Sequence, residues 1–278
     1  MPTFDTPEPI SVTLEFDVGS ARIAATKRID TVVEVLPSNA AEEADVRVAQ
    51  QTKVTYADGK LLVKGPKKRS LFGKAGSVDV SVELPAGSDL HGTTPMADFV
   101  CTGRLGECRL KTSLGDIRVD EAAASFLKTG HGDIYAAHLA GDADVTGAGR
   151  IEVGTFGGTA RIKNGNGETK IGEAVGDLRV NAANGTVSVE IAHAGVDAKS
   201  ANGGIRVGDV TRGDIALQAA IGDVEIGIRE STAAWLDVKT GIGSVRNSLS
   251  TTDGPDTAEE TVEVRASTGI GDILIHRA

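Results

Sequence analysis

One short unit constrains this chain more than anything else in it. Gly115-Asp116-Ile117-Arg118-Val119 returns as Gly132-Asp133-Ile134-Tyr135-Ala136, Gly149-Arg150-Ile151-Glu152-Val153 and Gly167-Glu168-Thr169-Lys170-Ile171. It continues through Gly185-Thr186-Val187, Gly203-Gly204-Ile205, Gly222-Asp223-Val224, Gly243-Ser244-Val245 and Gly271-Asp272-Ile273. The glycines at 115, 132, 149, 167, 185, 203 and 222 stand 17, 17, 18, 18, 18 and 19 residues apart, and the last two steps, 21 and 28, contain insertions. A fainter copy falls midway, as in Gly141-Asp142-Ala143, Gly158-Thr159-Ala160, Gly176-Asp177-Leu178 and Gly213-Asp214-Ile215. Each repeat therefore holds two short strands, each opened by a tight turn. The residues at 117, 134, 151, 187, 205, 224, 245 and 273 are Ile or Val, with Thr169 at the equivalent position, whereas Arg118, Glu152, Lys170, Arg206 and Glu225 follow residues of this column. That alternation is the period of a strand with one face buried. Strands this short bury nothing alone, but coils stacked about 4.8 Å apart bury a continuous column. The expectation is an all-β protein, a parallel β-helix or β-solenoid with about 18 residues per coil.

The regular array is expected over residues 96–278, with residues 1–95 as a strand-rich N-terminal cap or entry coils. Ile10–Phe16 and Val78–Leu84 alternate as strands, Asn39–Ala44 has room for one helical turn, and Lys64–Lys74, with Pro66 and Gly73, reads as a loop.

The G-D-(Ile/Val)-x-(Val/Ile) units and Lys-Thr-Gly turns, such as Lys128-Thr129-Gly130-His131-Gly132-Asp133, carry a family likeness. The array resembles the bacterial β-strand-repeat family of unknown function labelled "putative adhesin", and its layout is similar to cytoplasmic-type actinobacterial members. The resemblance implies a β-helical fold and assigns no catalytic residues.

Composition narrows the function classes. The formal charge is −10, from 29 Lys and Arg against 39 Asp and Glu, which disfavours nucleic acid and anionic membranes as partners. No basic, apolar leader opens the chain, because Asp5, Glu8, Glu15 and Asp17 precede the first basic residue, Arg22. No segment has the ~20 apolar residues of a membrane span. The expected location is cytoplasmic. Two cysteines, Cys101 and Cys108, make no disulfide framework and read as buried free thiols.

Sites are sparse. No G-x-S-x-G, G-x-x-x-x-G-K-S/T or H-E-x-x-H occurs, the five histidines are scattered, and one Trp and two Tyr offer little aromatic platform for a sugar. The expected cofactors are none. The Gly-Asp steps differ from calcium-binding nonapeptides, in which Asp stands two residues past the glycine, so they read as turns. Asn166, Asn184 and Asn202 stand one coil apart and read as a stacked ladder whose column, later Ile221, Ile242 and Ile270, points inward or along a seam. Lys111, Lys128, Lys163, Lys199 and Lys239 all stand four residues before a repeat glycine, and Lys64, Lys67, Lys68, Arg69 and Lys74 form a denser basic loop. Both groups are candidate interaction surfaces, with nearby Asp and Glu expected to neutralise the stripe in part.

The expected function is a non-enzymatic scaffold or protein-interaction module with a protein partner. The alternatives are a self-assembling bactofilin-like cytoskeletal element and, less favoured, a polysaccharide-active β-helix enzyme. The last unit, Gly271–Ile275, is expected to end the stack with an unpaired edge. The acidic segment Asn247–Glu260 is expected to shield it and to hold the chain to a monomer or small homo-oligomer.

Overall fold

The computed structural model describes residues 1–66, 76–249 and 260–278. They fall into two compact units, Met1–His138 and Leu139–Ala278.

The first unit opens with β1 (Thr3–Asp5), β2 (Ser11–Glu15), β3 (Val18–Thr26) and β4 (Asp30–Pro37). After helix α1 (Glu43–Gln51) come β5 (Lys53–Ala57), β6 (Lys60–Lys64), β7 (Val78–Pro85), β8 (Asp89–Leu114) and β9 (Ile117–His131). Strands β2 and β3 pair in parallel with β8, and β8 with β9, the ladder expected of a solenoid. The pairs β1–β4, β4–β7 and β5–β6 are antiparallel. Both alternating segments expected near the N-terminus are strands. The helix forms later than expected, at Glu43–Gln51 rather than Asn39–Ala44. Asn39 instead presents its amide to Asp45 Oδ2 at 3.1 Å, while Asp45 Oδ1 accepts the Ser77 amide at 2.9 Å, so this carboxylate ties the first turn of the helix to both flanking segments.

Strand β10 (Ile134–Leu139) lies at the junction of the units. The second unit holds β11 (Ala143–Gly147), β12 (Ile151–Phe156), β13 (Ala160–Asn164), β14 (Thr169–Ala174), β15 (Leu178–Asn184), β16 (Val187–Ala192), β17 (Val196–Asn202), β18 (Ile205–Val210), β19 (Gly213–Ile221) and β20 (Val224–Ile228). It closes with β21 (Thr232–Ile242), β22 (Val245–Asn247), β23 (Glu260–Ile270) and β24 (Ile273–Arg277). All pairings given for this unit's strands are parallel, and they join equivalent positions of neighbouring coils: Ala160 with Leu178, Leu178 with Val196 and Val196 with Ile215 on one face, Ile151 with Thr169, Thr169 with Val187 and Val187 with Ile205 on the other. The chain is the β-solenoid that its repeat implies. The inward column is closed to solvent, with Ile151, Val187, Ile205, Val224 and Ile273 all at or below 1% exposure.

The last two coils do not stack in chain order. Ile215 of β19 pairs with Val264 of β23, and Val264 pairs on its other side with Leu236 of β21. Likewise Ile273 of β24 lies between Val224 of β20 and Val245 of β22. The coil made by β23 and β24 is thus inserted between β19–β20 and β21–β22. The expected unpaired edge at Gly271–Ile275 is not there, because β24 is paired on both sides. The end coil is β21–β22, and most of the segment expected to shield the end, residues 250–259, lies outside the described residues. The side chains explain this order. Val262, Val264, Ala266, Ile273 and Ile275 make an apolar column that is at most 2% exposed. At the fifth residue of the repeat unit, counted from its glycine, β22 carries Asn247 where β24 carries Ile275, and a polar side chain there belongs at an end rather than inside the stack.

Corner glycines make the stacking possible. Gly185 has φ +116°, and a Cβ there would lie 2.1 Å from the Gly167 carbonyl oxygen of the preceding coil. Both the turn and the close approach therefore require the missing side chain.

Candidate interaction face

Period two divides each Lys-Thr-Gly-type turn between two roles. In the second unit the lysine points to water, and the next residue points inward, in three coils to a carbonyl left at the corner by the glycine turn. Thr240 Oγ1 donates to the Gly271 carbonyl at 2.9 Å, Thr268 Oγ1 to Gly222 at 2.8 Å, and Asn164 Nδ2 to Gly149 at 3.0 Å. In the first unit Thr129 Oγ1 donates to Gly115 at 2.8 Å. These inward hydroxyls and amides satisfy groups that would be costly to bury unpaired. The Lys-Thr-Gly triplet was the available signal for them.

The Gly-Asp steps have a similar structural use. Asp98 Oδ1 accepts the Asp116 amide and Asp116 Oδ1 the Asp133 amide, both at 2.8 Å. In the second unit Asp142 accepts from Thr159, Asp223 from Asp272 and Asp272 from Ser244, at 2.8 to 2.9 Å. Each carboxylate clasps the backbone of the adjoining coil. The Ser244 amide and hydroxyl hold the Asp272 carboxyl below its ordinary value. No group of three or more metal-ligating side chains occurs among the described residues.

The asparagine column points outward rather than inward. Asn184 and Asn202 pair in register and are exposed. The column continues through Ile221, Ile270 and Ile242, which are 51, 49 and 68% exposed.

The lysines fall on one face of the second unit. Along the stack the column reads Thr146, Lys163, Asn181, Lys199, Gln218, Ser267, Lys239, so lysines are separated by two and then three coils, about 10 and 14 Å. Neutral residues between them avoid like charges directly opposite one another. Lys111 and Lys128 of the first unit are directly paired in register. Among the described residues none of these five lysines makes an ion pair, contrary to the expected neutralisation. Lys64 differs, for it reaches Glu15 at 2.6 Å. Lys67, Lys68, Arg69 and Lys74 lie outside the described residues.

Small side chains hollow this face. At Ala216 and Ser267 a trough of about 370 Å³ opens between Lys199 and Lys239, with Gln218, Arg265, Asp197 and Asp237 along it. A second hollow of about 510 Å³ lies by Arg161, Arg179, Asp177 and Asp214. The opposite face of the same unit is neutralised by pairs between coils: Arg150 with Glu168, Lys170 with Glu190 at 3.1 Å, and Arg206 with Glu225 at 3.5 Å. Glu190 also raises the Lys170 ammonium above its ordinary value.

Stacking joins residues that look scattered in sequence. His193 Nε2 lies 2.9 Å from Glu173 Oε1, and His193 Nδ1 lies 3.4 Å from Thr211 Oγ1, linking three successive coils. Cys101 and Cys108 are both buried free thiols on β8, as expected. A hydrogen bond with Cys108, together with burial, pushes the Cys101 thiol well up.

The sequence model of the family described as Toastrack DUF4097 matches residues 23–278. The chain belongs to the Toastrack family. No curated protein matches it. Two crystal structures are similar to this Toastrack chain over most of their length. One is a "putative cell adhesion protein" from Clostridium sporogenes ATCC 15579, 13% identical, covering 100% of this chain and 98% of its own, with a TM-score of 0.24. The other is a "putative adhesin" from Bacteroides fragilis NCTC 9343, 11% identical, covering 99% and 95%, with a TM-score of 0.39. Among the described residues no helix is long and apolar enough to cross a membrane.

Proposed function

We propose that this Toastrack chain is a non-enzymatic protein-interaction module whose second unit holds a partner on the lysine face. The observation that carries the reading is the contrast between two faces of one stack. One pairs its cations with carboxylates of adjoining coils, and the other, although Arg179 meets Asp197 on it, presents Lys163, Lys199 and Lys239 without ion partners among the described residues beside a trough of about 370 Å³. Unpaired cations set 10–14 Å apart on a rigid ladder favour an acidic protein surface, and they do so on a chain whose net charge would repel acidic proteins elsewhere.

The reading is tested with a photo-crosslinking residue placed at Lys163 or Lys199, or at Ser188 on the opposite face, in cells that make the protein. A discrete adduct from the first two positions and none from Ser188 is the expected result. The triple variant K163E/K199E/K239E should abolish the adduct while changing stability by less than about 0.5 kcal/mol per site. Equal adducts from both faces, or none from either, would overturn the reading.

A further inference from the structure

Among the described residues the end coil has a free edge, and the residues along it match a second copy of themselves. Strand β21 pairs with β23 on one side, and no described strand pairs with the other. Its inward column is open there: Leu236 and Val238 are half-buried, while their counterparts Val264 and Ala266 in the inserted coil are at most 2% exposed. Trp235, the only tryptophan in the chain, is 69% exposed on this strand.

We infer that two copies of this chain associate end to end, with β21 pairing antiparallel to β21 of the second copy about a twofold axis at Val238. Twofold pairing of a strand with itself must be antiparallel and must centre on a residue, since opposed side chains share a face. Centring on Asp237 would set two aspartates against each other, which is unfavourable. Centring on Val238 sets Asp237 opposite Lys239 twice, and Trp235 opposite Gly241 twice. An aromatic ring opposite a strand glycine covers the backbone that glycine leaves bare. The open inward columns then meet, so the core continues from one copy into the other. Because the contact uses the same patch on both copies, it closes at a dimer and builds no filament.

The test is charge exchange at two exposed positions. Purified wild-type chain, with no other protein present, should show a concentration-dependent monomer–dimer equilibrium in analytical ultracentrifugation. The emission of Trp235 should shift to the blue as the dimer forms. Asp237→Lys alone sets lysines opposite lysines, and Lys239→Asp alone sets aspartates opposite aspartates. Each should weaken association at least about tenfold. The double variant D237K/K239D restores opposite charges and should restore the dimer, which also shows that the substitutions leave the fold intact. A wild-type chain that stays monomeric would overturn the inference, as would single variants that dimerise normally or a double variant that does not recover. The readout is self-association alone, so its failure is distinguishable from failure of the lysine-face reading.

Discussion

The coils β21–β22 and β23–β24 start from nearly the same text. One contains Lys239-Thr240-Gly241-Ile242-Gly243-Ser244-Val245, the other Ser267-Thr268-Gly269-Ile270-Gly271-Asp272-Ile273. Both use the inward threonine to reach a corner carbonyl, and both place an isoleucine outside the turn. Yet the later coil is inside the stack and the earlier one is at its end. A shared repeat sets how a coil is built, whereas small departures from it set where the coil sits. Here the departures are Asn247 against Ile275 and Ser244 against Asp272. An aspartate at the corner can clasp the amide of a further coil, and Asp272 does so with Ser244.

The largest test of this contrast is a buried charge. Val264→Asp puts a carboxylate into a closed column and should cost on the order of 4 kcal/mol in chemical denaturation. Val238→Asp, two positions along the equivalent strand of the end coil, should cost less than about 1 kcal/mol when measured at concentrations too low for association. Equal losses would mean that the two coils are equally enclosed.

A smaller difference is expected at the corners. Gly271 and Gly243 have φ of +149° and +144°, and an added Cβ would meet a neighbouring carbonyl oxygen at 2.3 and 2.0 Å. Contact alone makes Gly243 the tighter site. The end coil is free to shift outward and the inserted coil is not, so Gly271→Ala should cost about 3 kcal/mol and Gly243→Ala about 1 kcal/mol. The reverse order would show that the end coil is held as rigidly as the interior.

The smallest effect concerns the clasp. The folded Asp272 carboxyl is held below its ordinary value of 3.8 by the Ser244 amide and hydroxyl, so the unfolded chain takes up that proton first as pH falls. Its contribution is complete above about pH 4 and is lost as pH drops through the lower folded value. Amide exchange at Ser244 that quickens in acid, with the acid dependence abolished in Asp272→Asn, is the expected signature. An acid profile at Ser244 that Asp272→Asn leaves unchanged would show that the carboxylate does not hold this amide.

Much of this was legible from the repeat. Period two identified the buried column, because Ile151, Val187 and Ile205 have no other way to leave water. It also placed the lysines outside. What spacing does not report is which coil lies beside which. Residues separated by a full repeat share a column, but a long connection allows the next coil to be skipped, and the local signs were Asn247 in place of an aliphatic residue and Ser244 in place of the corner aspartate. That Lys163, Lys199 and Lys239 have no ion partner among the described residues was equally hidden. Asp197, the nearest acidic residue to Lys199 in sequence, turns to Arg179 at 3.1 Å once coils are stacked. Ahead of β8 in the first unit, antiparallel pairs and a helix interrupt the parallel ladder, so no periodicity located α1.

The inserted coil also has a consequence for how the array is made. A growing chain exposes the edge of β19–β20 before β23 and β24 exist, and β21–β22 carries the right period to dock on it. The native arrangement instead joins Ile215 to Val264, 49 residues on, rather than to the coil that follows directly. Closing that longer loop adds about 0.8 kcal/mol of entropy cost over the 21-residue step to Leu236. Synthesis therefore presents the wrong neighbour first, and any β21–β22 coil docked there has to yield its place. Refolding of the whole chain should accordingly show a slow phase that is missing when residues 229–249 are removed.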